Sequence, residues 1–173
     1  LNRTTTALIK FQDAKSGVWW QVTNKANQDK NYLESSGTAM FVFSIAKAIR
    51  MKYLPATFNA ALQKAYNGMI KEFVKEDANG QYHYMQAVAG AGLGGIPYRD
   101  GTYEYYVNEP RRDDDLKAIG PFIQACIEME LLKNCYEHLA GIQVLFSNYL
   151  NFLPNTFMGK SVVIPNPVSQ IDK

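Results

Sequence analysis

One order of segments occurs twice in this chain. The end of a helix leads through a glycine turn to a short aromatic extended stretch, then a polar loop, then another helix. The order runs from Phe11 to Tyr53 and again from Phe73 to Leu132, with Gly17 and Gly80 at matching places. A repeated helical hairpin cannot bury its apolar flanks alone, so neighbours must stack side by side. Such stacking points to an all-α fold with short extended segments, in which hairpins curve around a cavity as a toroid. The loops entering alternate helices then gather at one end, where binding residues tend to sit.

The periodicity supports the helices. Residues 3–12 read as the end of a helix, with Ala7, Leu8 and Phe11 at helical spacing. Val18 to Val22 is aromatic and β-branched, hence extended. A helix is predicted over 36–53, capped by Ser35 or Ser36, with Met40, Phe43, Ala46, Ile49 and Tyr53 as its apolar side and Pro55 beyond its end. Thr57 is expected to cap a helix over 58–75, whose Leu62, Ala65, Tyr66, Met69, Ile70 and Phe73 follow a period of 3.6. Asn79-Gly80 is a tight turn, 81–88 is extended, and 89–95 holds four glycines. An aromatic loop, 96–110, precedes a helix starting near Leu116 or Gly120, with Pro121 in its first turn. A further helix over 136–152 and an extended tail after Pro154 complete the reading.

Composition narrows the function. The chain has 173 residues, about one domain. Eighteen basic and sixteen acidic side chains leave a net charge of +2, and no Lys/Arg stripe marks a nucleic-acid binder. The longest apolar stretch, Ala39 to Ala46, contains Ser44 and is far too short to span a membrane. No signal-peptide pattern opens the sequence, and its compartment stays open between cytoplasm and periplasm. Cys126 and Cys135 have no CxxC spacing, and His83 and His138 have no ligand spacing, so neither a metal nor another cofactor is expected.

Aromatic residues are the compositional signal: 2 Trp, 11 Tyr and 9 Phe. Tyr98, Tyr103, Tyr105 and Tyr106 fall close together in the aromatic loop. A tyrosine offers an apolar face and a hydroxyl, which suits sugars and equally suits a core or an interface. Within this loop Arg99 has two readings: a fork for a substrate carboxylate, or a partner for Asp100 or Glu109. Glu104, between tyrosines, reads either as an acid raised by an apolar pocket or as a carboxylate bonded to backbone N–H groups. Asp113, Asp114 and Asp115 read as a solvated run leading into the next helix. The spelling Gly90-Ala-Gly-Leu-Gly-Gly95 lacks the βαβ setting of a phosphate loop.

The motifs Gly17-Val-Trp-Trp-Gln-Val22, Asn31-Tyr-Leu-Glu-Ser-Ser-Gly-Thr-Ala-Met-Phe41, Gly92-Leu-Gly-Gly-Ile-Pro-Tyr-Arg-Asp-Gly-Thr-Tyr-Glu-Tyr-Tyr106, Gly120-Pro-Phe-Ile and Glu128-Met-Glu130 resemble glycoside hydrolase family 105, the unsaturated rhamnogalacturonyl hydrolases. The resemblance covers roughly residues 5 to 132. It implies an (α/α)6 toroid and a substrate bearing a 4,5-unsaturated uronic acid at its non-reducing end. In that family an Asp protonates the vinyl ether at C4, water adds at C5, and the hemiketal opens without metal or organic cofactor. The match is to the family's C-terminal half only. The catalytic Asp lies in the other half, so no catalytic residue carries over. Trp19, Gln21, Tyr98, Arg99, Tyr103 and Glu104 sit in matching motifs and are expected to contact substrate or shape the cavity.

Residues 1–132 thus read as a half-domain and 133–173 as an extension. Three functions compete: part of such a hydrolase, inactive alone; a non-catalytic carbohydrate-binding or helical interaction module; and a different glycosidase pairing Glu104 with one of Asp113 to Asp115. A half-toroid should leave open flanks, expected on the helix bearing Leu62, Tyr66, Met69, Ile70 and Phe73 and on the segment with Leu8 and Phe11. These flanks call for self-association, for the tail to fold back over the gap, or for a separate N-terminal half.

Overall fold

The computed structural model describes residues 1–133. Five helices carry the fold: α1 (Asn2–Ile9), α2 (Ser35–Arg50), α3 (Asn59–Phe73), α4 (Tyr103–Asn108) and α5 (Leu116–Lys133). A 3-10 turn, Ala56–Phe58, leads into α3. Four short strands form two antiparallel pairs: β1 (Val74–Glu76) with β2 (Tyr82–Tyr84), and β3 (Ala87–Val88) with β4 (Arg111–Arg112). The expected helical fold with short extended segments is present.

The core lies on α2. Ala39, Val42, Ile45, Ala46 and Ile49 are buried there, facing α3 residues Leu62, Ala65, Tyr66, Met69 and Phe73 and α5 residues Ala118, Phe122, Ala125 and Met129. Alanines on all three helices keep the seams narrow. Tyr84 joins the parts and is fully buried. Its hydroxyl donates to the Ser35 carbonyl at 3.1 Å, and its ring lies 4.4 Å from Phe122 and edge-on to Phe73.

The α3 stripe read from the sequence is buried except for the half-buried Ile70, with Leu62 at 1% exposure and Met69 at 0%. It therefore leaves no open flank, because α2 covers it. Among the described residues, exposed large apolar side chains include Leu116, Ile127 and Leu131 on α5, Leu93, Ile96 and Tyr98 between β3 and β4, and Leu1, Phe11, Met40, Met51 and Tyr53.

Several local expectations are corrected. The α2 cap is the side chain of Glu34, which accepts from Ser36 N–H and Gly37 N–H, not Ser35 or Ser36. Met40 and Tyr53 are exposed; α2 is apolar on most sides, so spacing alone did not fix the buried stripe. Thr57 caps nothing, since it lies inside the 3-10 turn. The stretch 18–22 makes one bridge, Trp20 with Leu33, rather than a strand. The extended stretch 81–88 breaks at Gln86, whose φ is +68°. Pro121 is interior to α5, because the helix already begins at Leu116. The helix expected over 136–152 and the tail after Pro154 lie outside the described residues.

Close approach explains two glycines. A Cβ on Gly68 would sit 2.0 Å from the Ser16 carbonyl oxygen, and one on Gly17, at φ +82°, would sit 2.6 Å from that of Lys64. The 13–18 turn therefore rests directly on the α3 backbone. Asp13 holds that turn: burial pushes its carboxyl up, but bonds from Ser16 and Trp20 outweigh this and hold it below the usual range.

Candidate functional site

The glycine-rich stretch 89–95 and the aromatic loop 96–110 form one continuous loop, closed at its neck. β3 and β4 pair there in the register Ala87↔Arg112 and Val88↔Arg111, and Ala89 N–H donates to the Pro110 carbonyl at 2.7 Å. Glu34 fixes the neck from inside by accepting from Val88 N–H at 3.0 Å, and the Lys117 ammonium bonds the Val88 carbonyl. Inside the loop, Gly94 and Arg99 pair through two backbone bonds. A peptide bond in the cis form joins Ile96 and Pro97.

Where the sequence predicts an irregular loop, the structure holds the helix α4. Its signal was present: Thr102 accepts from Tyr105 N–H, three residues on, as an N-cap does. Helical spacing then brings Tyr105, Asn108 and Glu109 together. They wall an open depression of about 380 Å³ with Tyr98, Asp100, Thr102, Glu104 and Pro110. Tyr105 braces it, accepting from Gly92 N–H at 3.1 Å. Its hydroxyl also bonds Glu109, which together with burial raises its pKa. Asp100 accepts from the N–H and hydroxyl of Thr102, and these bonds hold its carboxyl below the usual range.

The six candidates divide. Tyr98 and Glu104 line the depression, and Tyr98 is 75% exposed. Glu104 is not in an apolar pocket: its side chain is exposed and its carboxylate lies 3.5 Å from the Lys30 ammonium. Tyr103 is half-buried and donates to the Asp29 carbonyl at 2.6 Å, so the 23–31 loop docks on α4. Burial, then the Asp29 and Glu104 charges, raise the Tyr103 pKa. Arg99 takes neither expected partner. Its Nε donates to the Gly94 carbonyl at 2.9 Å and its guanidinium packs over Gly92 and Gly95. Trp19 is 2% exposed, donates to the Leu8 carbonyl and meets Phe41 edge-on at 5.2 Å, so it supports from within. Gln21 is half-buried, and its N–H donates to the Tyr32 carbonyl.

The pairing of Glu104 with Asp113, Asp114 or Asp115 is not assembled. Glu104 lines the depression and none of the three aspartates does. Asp113 accepts from Gln86 N–H, Asp114 from Tyr84 N–H and His83, and Asp115 from Lys117 N–H at the start of α5. The run is a set of backbone fasteners rather than a merely solvated stretch.

Comparison with known proteins agrees with these motifs. The model of Glycosyl Hydrolase Family 88 matches residues 1–133. The C. acetobutylicum glycoside hydrolase from family 105 is 40% identical with a TM-score of 0.71, over 73% of this chain and 35% of its own. A Klebsiella pneumoniae protein described as a possible GH105 member is 25% identical with a TM-score of 0.58, over 78% of this chain and 30% of its own. Protein Atu3128 of Agrobacterium fabrum and the 24.9 kDa protein in the picA locus of Rhizobium radiobacter are each 34% identical over 131 residues, or 72% of this chain. This chain spans 56% of the length of those two relatives. By its family match and its solved likenesses, the chain belongs to Glycosyl Hydrolase Family 88 and is of the glycoside hydrolase family 105 kind.

Proposed function

We propose that residues 1–132 are the C-terminal half of an (α/α)6 toroid that cleaves pectin-derived oligosaccharides ending in a 4,5-unsaturated uronic acid, with 133–173 an extension. The observation that carries this reading is the family match over residues 1–133, which includes the aromatic loop walling the depression. The chemistry adds a proton at C4 of the vinyl ether and water at C5; the hemiketal opens and releases the neighbouring sugar. The proton donor belongs to the half that this chain does not match, so the chain alone does not turn over. Its own share is substrate-side. Tyr98, Tyr103 and Glu104 present the loop surface, Arg99 holds the loop backbone at Gly94, Gln21 is a substrate-side candidate on the neighbouring 18–22 stretch, and Trp19 gives support from the core. An N-terminal half of the same domain is the implied partner.

The conjugated enol ether absorbs in the ultraviolet, so its loss reports turnover of unsaturated galacturonyl-rhamnose. The chain alone should leave the absorbance unchanged, and addition of an N-terminal half should start its decay. Turnover by the chain alone that vanished in Glu104→Gln would overturn the reading. A second reading, a non-catalytic carbohydrate-binding or helical interaction module, is favoured by the exposure of Glu104 and the engagement of Asp113 to Asp115. It predicts sugar binding without turnover even after complementation.

A further inference from the structure

We propose that the depression walled by Tyr98, Glu104, Tyr105 and Glu109 receives an uncharged sugar ring of the oligosaccharide rather than its uronate carboxylate. This inference rests on the carbohydrate reading above and deepens it. Three of the eight lining residues are carboxylates, Asp100, Glu104 and Glu109, and none is Lys or Arg. Two cations lie near the loop, and neither lines the depression. Arg99 donates its Nε to the Gly94 carbonyl at 2.9 Å, and a Cβ on Gly92 or Gly95 would stand 2.9 Å from its guanidinium. Lys30 is paired with Glu104 at 3.5 Å. A uronate placed here would face like charges, with no cation in the lining to meet it.

A neutral ring meets the opposite situation. A carboxylate has about four lone-pair sites, and the Thr102 bonds to Asp100 use only its Oδ1. Hydroxyl groups on adjacent ring carbons can donate to the acceptors that remain. Tyr98 supplies an exposed apolar face for the C–H side of the ring, and Pro110 supplies another apolar wall. Few oriented polar groups beside aromatic faces form the usual design of a small-ligand site. A metal ion does not explain the carboxylates: among the described residues, no three His, Cys, Asp or Glu are arranged to hold one.

The test is a titration of the isotope-labelled full chain, followed by NMR at pH 7 and constant ionic strength. The probes are methyl rhamnoside, galacturonate and glucosamine. Methyl rhamnoside should shift the amides of Tyr98, Thr102, Tyr105 and Asn108, and galacturonate should bind there at least tenfold more weakly. Tyr98→Ala removes an exposed ring and should weaken rhamnoside binding tenfold or more without changing the rest of the spectrum. The double variant Glu104→Gln/Glu109→Gln should narrow the gap between the two sugars at least fivefold. Should that variant fail to fold, raising the salt concentration should narrow the same gap by screening. Galacturonate binding as tightly as rhamnoside would overturn the assignment and leave the carbohydrate reading standing. Glucosamine binding tenfold tighter than rhamnoside would overturn it too, since charge alone would then be read. Silence of these amides to every sugar would also overturn it, while the turnover assay judges the hydrolase reading separately.

Discussion

Glu34 is 6% exposed, and its two oxygens take four donors: Ser36 N–H and hydroxyl, Gly37 N–H and Val88 N–H. It caps α2 and holds the neck of the aromatic loop with the same group. Glu34→Ala would leave buried donors unpaired and remove a cap, a loss of about 3 kcal/mol. Glu34→Gln, which keeps one acceptor oxygen, should lose less; urea unfolding of the two variants checks the order. His83 offers a pH-dependent contribution. Its Nδ1 lies 2.6 Å from Asp114 and its Nε2 3.6 Å from Asp77. The Asp114 bond is the main cause raising its pKa above the ordinary value of about 6.5. A raised folded pKa means that protonated His83 stabilises the fold below about pH 6.5, and this contribution fades as pH rises through the folded value. The melting temperature should therefore lose this increment on going from pH 6 towards alkaline pH. His83→Gln should flatten that part of the profile.

Among the elements, the contact of the 13–18 turn with α3 decides the sign of a common stabilising change. Replacing a helix-interior glycine with alanine ordinarily gains about 0.5–1 kcal/mol. At Gly68 the new Cβ would lie 2.0 Å from the Ser16 carbonyl, so overpacking wins. Gly68→Ala should cost at least about 2 kcal/mol, read as a lowered urea midpoint. The α2–α5 seam carries a forked ion pair: Arg50 Nε and Nη2 donate to Glu128 at 2.6 and 2.9 Å. Glu128 is 6% exposed, whereas about a third of the Arg50 side chain reaches solvent. Arg50→Ala would strand a buried carboxylate and should lower the urea midpoint. Arg50→Lys keeps the charge but loses the fork, and should fall between.

At the scale of the molecule, the open apolar surface has moved from α3 to α5. Leu116, Ile127 and Leu131 are exposed on that helix, with Gly120 and Gln124 also exposed between them. Lys117 is exposed beside Leu116, and the rest of the stripe carries no charge. Self-association of the chain is therefore expected through α5, and light scattering should show a dimer or larger species that dissociates on dilution. Ile127→Lys with Leu131→Lys should shift it towards monomer at unchanged fold, whereas a substitution at Leu62 should unfold it. A monodisperse monomer whose Ile127 and Leu131 amides exchange freely would overturn this expectation.

By itself the sequence determined α3, because an apolar stripe at 3.6 spacing has few other ways to leave water, and it marked helices where α2 and α5 lie. It also determined the family, since the motifs from Gly17 to Glu130 are long and ordered. Tertiary structure decided what each polar side chain meets. Arg99 and Glu104 have the chemistry of a substrate clamp in any one-dimensional reading. Only the folded loop sends Arg99 to a glycine carbonyl and Glu104 to Lys30. The short helix α4 was decided at the same level. Six residues give too few turns to stand alone, and Tyr103 on Asp29 and Tyr105 on Gly92 hold it in place. The stripe on α2 that faces the core was decided there too. A helix apolar on most sides buries whichever stripe α3 and α5 cover, and its own spacing does not say which.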